Sequence, residues 1–94
     1  MALTVIAAYD VSEDDRRARL AALLQSYGDR IQKSVFVIMV DHADLTELAA
    51  HARKIIDTDT DSVFFFRQCT PCWTDALTVG QARSPDRTLF WAVL

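Results

Sequence analysis

The fold of this chain is decided by the stretch Leu3-Thr4-Val5-Ile6-Ala7-Ala8-Tyr9-Asp10. A nearly continuous apolar run with β-branched residues, too short for a typical helix, predicts a β-strand. Apolar side chains occupy both alternating positions, so we expect both faces to be covered and the strand to be central in its sheet. The strand ends in Asp10, whose carboxylate must be exposed, paired or bound to a metal, because burying an unpaired charge is too costly.

The next segment predicts a helix and then two strands. Helical spacing of leucines predicts a helix from Ser12 to Tyr27, with Ser12 as its N-cap and Gly28 as its C-terminal stop. The segment from Arg30 to Val40 is too long for one typical strand. Its polar stretch Gln32-Lys33-Ser34 predicts a tight turn or a bulge between a short strand and a strand over 34–40.

A second helix and a fourth strand follow. Asp41–Asp44 is predicted to be a loop, with Asp44 capping a helix whose apolar stripe ends at Ile56. The Phe-rich segment Ser62–Cys69 predicts a strand. The order βαββαβ predicts an α+β fold of the ferredoxin-like type, an antiparallel sheet with two helices on one face.

The whole chain, residues 1–94, is predicted to be a single domain with its core in residues 3–69 and an extension over 70–94. The extension ends in the apolar run Thr88–Leu94, which predicts a strand that pairs with a sheet edge, in particular that of a partner subunit. A core built from so short a chain is thin, and this also favours a homodimer.

The charge of the chain is unevenly distributed although its net value is only -3. Between residues 16 and 33, cations far outnumber Asp29: Arg16, Arg17, Arg19, Arg30 and Lys33. Such a region suits phosphate groups, and the alternative is an ordinary solvated helix surface paired with neighbouring carboxylates. No signal peptide or membrane-spanning segment is visible, so the sequence favours a cytoplasmic protein without membrane contact.

The two cysteines form the pattern Cys69-Thr70-Pro71-Cys72. A redox Cys-x-x-Cys usually opens a helix after a strand, and the residues from Trp73 onward do not predict one. A zinc site would need His42 and His51, whose spacing is unsuitable. We therefore expect buried free thiols.

Four features of the sequence occur in a characteristic order: Tyr9-Asp10 at the end of the first strand, Ser12 followed by acidic residues, Arg16-Arg17 in the first helix, and the run from Gly28 to Phe36. Together they resemble the CRISPR-associated Cas2 family. The resemblance covers residues 3–69, and its most specific part is Gly28-Asp29-Arg30-Ile31-Gln32-Lys33-Ser34-Val35-Phe36. It implies a homodimer that works with the Cas1 integrase in acquiring new CRISPR spacers. It also implies a Mg²⁺-dependent endonuclease activity on RNA or DNA, with Asp10 as the metal ligand. The family pattern usually continues with Glu after this run, and this chain has Val37 there instead.

The candidate catalytic and metal-binding residue is Asp10. One carboxylate is a poor Mg²⁺ site, but two copies meeting across a dimer twofold axis would share one ion. The alternative is that Asp10 only caps the junction between strand and helix. The candidate nucleic-acid-binding residues are Tyr9, Arg16, Arg17, Arg19, Arg30, Lys33, Ser34 and Phe36. For the two aromatic residues the alternative is a place in the core.

Three functions are compatible with this sequence. The first is a homodimeric, Mg²⁺-dependent endonuclease of CRISPR adaptation that acts through paired Asp10 carboxylates. The second is a non-catalytic scaffold that bridges the integrase and holds prespacer DNA, which Val37 favours. The third is a ferredoxin-like regulatory module that binds a small molecule, and it would leave the arginine cluster unused.

Overall fold

A computed structural model describes residues 2–80 of the chain. Its elements are β1 (Leu3–Asp10), α1 (Asp14–Gln25), β2 (Gly28–Gln32), β3 (Val35–Val40), α2 (His42–Ile55), β4 (Ser62–Gln68) and α3 (Thr70–Thr74). The sheet order is β2-β3-β1-β4, and every neighbouring pair is antiparallel. This confirms the ferredoxin-like α+β fold and the central place of β1. The strand predicted over 88–94 lies outside the described residues.

Both long helices pack on one face of the sheet. Leu20 and Leu24 of α1 and Leu48 of α2 are fully buried there, in one cluster with side chains of β1 and β3. On the strands, this covered face is formed by alternate residues that include Val5, Ala7, Tyr9, Phe36, Ile38 and Val40. The predicted apolar stripes of both helices are therefore the core-facing sides of the helices.

The other side of the sheet, which we call the open face, is also largely apolar. The strand register places on it the apolar side chains of Ile6, Ala8, Val35, Val37, Met39, Phe64 and Phe66, and the polar side chains of Thr4, Asp10, Asp29, Ser62 and Gln68. Trp73 packs on Val37 and Ile6. Phe64 and Phe66 remain 55% and 52% exposed, with their rings stacked at 5.7 Å between centroids. A large part of this apolar surface is thus uncovered by residues 2–80.

The connection between β2 and β3 is a two-residue turn at Lys33 and Ser34. A register shift between Arg30 and Gln32 places a bulge at Ile31, just before the turn. The predicted break in this long extended segment is therefore confirmed, with both a turn and a bulge.

Helix α1 begins later than predicted, because its N-cap is Glu13 and not Ser12. The Glu13 carboxylate accepts the backbone N–H groups of Asp15 and Arg16 at 3.0 and 2.9 Å. These hydrogen bonds lower the pKa of Glu13, since they stabilise its charged form. A glutamate is an uncommon cap, and so the serine was the more obvious choice from sequence.

Helix α2 begins earlier than predicted, at His42, because Asp41 is its N-cap. Asp41 accepts the backbone N–H of Asp44 at 2.7 Å, so Asp44 lies within the first turn and does not cap the helix. The predicted loop over residues 41–44 is wrong for the same reason. Within residues 2–80, no helix has the length and apolar character needed to cross a membrane.

Gly28 was predicted to end α1, but in the structure it is the first residue of β2. The cap of α1 is Ser26, and Gly28 pairs with Ile38 across the β2–β3 ladder. A Cβ atom at Gly28 would lie 2.1 Å from the Val37 carbonyl oxygen and 2.7 Å from the Ile38 Cα. The glycine is therefore required by the close approach of two backbones.

Replacing Gly28 by alanine is expected to destabilise the fold strongly. Overpacking a well-packed interior typically costs about 1–3 kcal/mol, and we expect the upper end because the atoms in contact belong to the backbone. Urea denaturation of Gly28→Ala beside Asp29→Ala, the exposed next residue of β2, measures the difference. Equal midpoints for the two variants would contradict the close approach.

Cys69 and Cys72 differ from the prediction in two respects. Both are exposed, and their sulfur atoms are paired as a disulfide with the Cα atoms 5.2 Å apart. The predicted absence of a helix is also wrong, since both lie at the start of α3. Cys69 caps this short helix by accepting the backbone N–H of Cys72 at 3.2 Å, and Pro71 lies in its first turn. A sulfur N-cap and a helix of five residues leave little periodic signal in a sequence.

Candidate functional site

Asp10 is the last residue of the central strand and lies on the open face opposite Ser62 of β4. Its side chain is exposed, and it makes no hydrogen bond or ion pair with any residue of the described range 2–80. The Asp10 carboxylate was expected to be exposed, paired or bound to a metal, and within this single chain it is exposed. A carboxylate at the rim of a largely apolar face remains available to a ligand or to a second chain.

Arg17 holds the loop that follows Asp10. Its guanidinium donates to the carbonyl oxygens of Val11 and Ser12 at 2.9 and 3.3 Å and forms an ion pair with Asp14. These contacts are made within the first turn of α1 and the loop that precedes it. Arg17 is thus a positioning residue for the backbone beside Asp10.

Arg16 contacts the residue that directly precedes β4. Its Nε donates to Asp61 Oδ2 at 2.8 Å, and Asp61 directly precedes Ser62, the partner of Asp10. The Asp61 side chain is fully buried, and it also accepts the backbone N–H of Asp57 at 3.0 Å and the Thr60 hydroxyl at 3.2 Å. The ion pair therefore ties the start of α1 to the start of β4, beside the strand position that faces Asp10.

Asp61 was not predicted as a site residue. It belongs to an acidic turn in the sequence, Asp57-Thr58-Asp59-Thr60-Asp61, whose members are indistinguishable by composition. Its partner Arg16 lies 45 positions away in the chain. No local pattern reports a contact of that separation.

Asp61 accepts hydrogen bonds from Arg16 and from the backbone N–H of Asp57, and these lower the pKa of Asp61 to about 2 despite its burial. The Arg16–Asp61 hydrogen bond raises the pKa of Arg16. A lowered carboxyl pKa stabilises the fold above the ordinary value near 3.8, and this contribution is lost as the pH falls from there toward about 2.

Asp61→Asn is therefore expected to lower stability at neutral pH, and the gap to the wild type is expected to close in acid. Thermal melts at pH 7, 5 and 3 measure this, and the gap should be constant between pH 7 and 5 and smaller at pH 3. Asp59→Asn, which removes an equal charge from the exposed part of the same turn, is the control. A gap that is independent of pH would contradict the role of the ion pair.

The remaining predicted cations are exposed: Arg19 on α1, Arg30 on β2 and Lys33 in the β2–β3 turn. None of the three forms an ion pair within the part of the chain that the structure describes. Arg30 lies over the Phe36 ring at 5.1 Å, on the edge of the helix-covered face. Ser34 is half-buried in the turn, where its carbonyl accepts the Tyr9 N–H at 3.1 Å. This hydrogen bond brings the turn beside the carboxyl end of β1.

The two predicted aromatic contacts are not placed for stacking on a base. Phe36 is fully buried on the helix-covered face, and Tyr9 is 7% exposed in the same cluster. The Tyr9 hydroxyl donates to the Lys33 carbonyl oxygen at 3.3 Å. Both side chains therefore belong to the core, and Tyr9 also anchors the turn that carries Lys33.

A metal ion would find only a small donor set in one chain. Among residues 2–80 there is no group of three or more His, Cys, Asp or Glu side chains that could hold one. Mg²⁺, however, keeps several waters and often takes only one or two protein carboxylates. One exposed Asp10 fits half of such a donor set, and a second copy of Asp10 would complete it.

The sheet is four-stranded and antiparallel, two helices cover one face, and the other, largely apolar face is left partly uncovered by residues 2–80. With the carboxylate that ends the central strand, these features define a ferredoxin-like protein with a candidate site at a strand end. The family model described as CRISPR associated protein Cas2 matches residues 2–76. The chain belongs to the CRISPR-associated Cas2 family.

Curated relatives match over part of their length. CRISPR-associated endonuclease Cas2 2 of Thermus thermophilus is 45% identical over 56 residues, which make up 60% of this chain and 62% of the relative. Relatives from Rhodospirillum rubrum and a Synechocystis species, both named CRISPR-associated endoribonucleases, are 36% and 39% identical over 68% and 65% of this chain. The chain spans 52% and 66% of the lengths of these two relatives, so about half to two thirds overall.

Solved structures with the same fold include a hypothetical protein from Thermus thermophilus. It has a TM-score of 0.80 and 31% identity, and the match covers 88% of this chain and 96% of that one. A chain of a partial Cas6-RT-Cas1–Cas2 complex has a TM-score of 0.71 and 26% identity, with 82% and 90% covered.

Proposed function

We propose that this chain acts in CRISPR adaptation as a homodimeric, Mg²⁺-dependent endonuclease that cleaves RNA or DNA phosphodiesters in the cytoplasm. The observation that carries the proposal is the position of Asp10, exposed and unpaired within residues 2–80 at the rim of the open face. The names of the relatives, endonuclease and endoribonuclease, support the same reaction class.

The open face supports the homodimer. Phe64 and Phe66 expose more than half of their surface beside Ile6 and Ala8, and apolar patches of this kind on small domains are commonly buried against another chain. In a twofold dimer, the same patch meets itself, so a residue near the axis approaches its own copy. Asp10 lies on this face, so a second copy of the chain is the source of the second carboxylate.

The two Asp10 carboxylates would hold one Mg²⁺ ion between the subunits. When bound, this ion would lower the pKa of a water molecule and stabilise the charge that develops at phosphorus. The chain contributes the orientation of each carboxylate, through Arg17 on the following loop and through the Arg16–Asp61 pair beside Ser62. Without a cation, the two close carboxylates would repel each other.

The exposed cations Arg19, Arg30 and Lys33 suit the phosphate groups of the substrate. Such contacts hold a polyanion without reading its sequence, and they weaken as salt rises. Arg16 and Arg17 are already engaged by carboxylates and carbonyls, so we assign them to positioning.

The test is cleavage of labelled RNA and DNA by the purified dimer with Mg²⁺ and with EDTA. We expect cleavage only with the cation, restored by adding Mg²⁺ after the chelator. A homodimer that binds nucleic acid and leaves both substrates intact at every Mg²⁺ concentration would exclude the enzyme.

A second candidate is a non-catalytic scaffold that bridges the Cas1 integrase and holds prespacer DNA. Two observations favour it: the match to a chain of a Cas1–Cas2 complex, and Val37, which is 1% exposed and carries no acidic group at the position after Phe36. Co-purification with Cas1 and salt-sensitive DNA binding without cleavage would support this function over the first. Binding that is insensitive to salt would count against both.

A further inference from the structure

We propose that Cys69 and Cys72 are a redox-active pair whose disulfide form holds Trp73 on the open face and whose dithiol form releases it. This redox pair lies at the start of α3, and its chemistry is independent of the cleavage reaction. Its components are the exposed position of both sulfurs, the short helix that they close and the packing of the residue that follows them.

The pair is accessible to small reagents. Both cysteines are exposed. A disulfide between residues three positions apart closes a small loop, and exposed disulfides are the ones that exchange most readily. The backbone N–H of Cys72 donates to the Cys69 sulfur at 3.2 Å, a contact that stabilises negative charge on that sulfur when the bond opens.

The helix that carries Trp73 depends on local constraints. An isolated helix of five residues is unstable in water, because its nucleation cost is not recovered. The described contacts that close α3 include the disulfide and the Cys69 cap. The backbone N–H groups of Trp73 and Asp75 donate to the Cys69 and Pro71 carbonyls, both at 3.0 Å, and the Thr74 hydroxyl donates to the Thr70 and Pro71 carbonyls at 3.2 and 3.1 Å. Opening the disulfide removes the one covalent constraint among them.

Trp73 is the packed residue of this segment. It is 8% exposed and packs on Val37 and Ile6, whereas Leu77 and Val79 farther along are 94% and 91% exposed. Among the described residues after β4, Trp73 is thus the anchor of the chain on the sheet. Because it directly follows Cys72, a change in the helix changes the position of the indole.

The reaction is a thiol–disulfide exchange with a dithiol or two monothiols as reductant. A reductant thiolate attacks one protein sulfur and forms a mixed disulfide, and the other protein sulfur leaves as a thiolate that takes up a proton. A second reductant thiolate attacks the reductant sulfur of the mixed disulfide, and the released protein thiolate is also protonated. Two electrons and two protons thereby move to the protein, and the reductant becomes a disulfide.

The experiment uses the full chain with Trp91→Phe, which leaves Trp73 as the only tryptophan. The protein is equilibrated at a series of ratios of reduced to oxidised dithiothreitol. One part of each sample is labelled with iodoacetamide and analysed by mass spectrometry, and the other part is used to measure acrylamide quenching of tryptophan fluorescence. We expect no label on the oxidised form, two labels on the reduced form, and a severalfold rise in quenching with a red shift of emission. Both readouts are expected to change at the same ratio of reduced to oxidised reagent.

Cys69→Ser/Cys72→Ser is the matched control, expected to show the high quenching of the dithiol form whatever the reductant. Repeating the titration with Phe66→Glu, whose change lies on the open face, separates release of Trp73 from dissociation of a dimer. Two labels on protein kept under oxidant, or equal quenching in the oxidised and reduced forms of the Trp91→Phe chain, would overturn the proposal. If the serine variant does not fold, the titration of the Trp91→Phe chain with both cysteines present decides between these outcomes.

Discussion

Asp10→Asn is expected to reduce Mg²⁺-dependent cleavage by roughly 100-fold or more, because a metal ion and its ligands supply several kcal/mol of transition-state stabilisation. The amide keeps the size of the side chain and removes the charge that would hold the cation. The fold should be unaffected, since the Asp10 side chain is exposed and makes no hydrogen bond or ion pair within residues 2–80. Initial rates at saturating Mg²⁺, together with calorimetric titration of the metal, measure both effects.

The control for Asp10→Asn is Asp29→Asn, an exposed carboxylate that the register also places on the open face, on edge strand β2. It removes the same charge from the same face and is expected to cleave at the wild-type rate. An Asp10→Asn dimer with normal melting behaviour, normal Mg²⁺ binding and normal cleavage would eliminate the metal site at this strand end.

Phe66→Glu is expected to weaken the proposed homodimer by roughly 100-fold or more, since each subunit would bury an unpaired charge in an apolar interface. The ring is 52% exposed in the single chain and stacks on Phe64. We therefore expect the variant to keep its secondary structure and to sediment as a monomer at concentrations where the wild type is a dimer. Sedimentation velocity over a dilution series measures the change.

Ile31→Glu is the matched comparison for Phe66→Glu. Ile31 is likewise an exposed apolar residue, at 41%, but it lies on β2, the opposite edge of the sheet. It receives the same charge and should leave the dimer intact. Cleavage should fall with dimer content in Phe66→Glu, because one chain supplies one Asp10. Full activity in a monomeric variant would show that cleavage does not require two Asp10 carboxylates at a twofold axis.

The arginines near Asp10 divide by what they already contact. Arg16 and Arg17 are bound to Asp61, Asp14 and loop carbonyls, so a substitution there disturbs the frame around Asp10 as well as any phosphate contact. A loss of binding in such variants is therefore ambiguous. Arg19 and Lys33 are exposed and form no ion pair within residues 2–80, so they are the more informative positions for measuring salt-dependent binding.

Patterns that repeat along the chain were enough to predict the order of the first six elements, the central place of β1 and the core faces of both long helices. Hydrophobic periodicity reports these features because each depends on neighbours within a few residues. The same is true of the break between β2 and β3, where polar residues interrupt an apolar run. The family motif around Gly28 added the dimer, the partner and the metal as expectations that the fold does not itself test.

Contacts between distant parts of the chain were decided by the tertiary structure alone. The Arg16–Asp61 pair, the burial of Phe36 and the approach of Val37 to Gly28 each join residues from different elements. The cysteines show the same limit at short range, because whether their sulfurs meet depends on the backbone path at the end of β4. A linear sequence records which side chains are available, whereas pairing, burial and close approach are set by where the folded backbone places them.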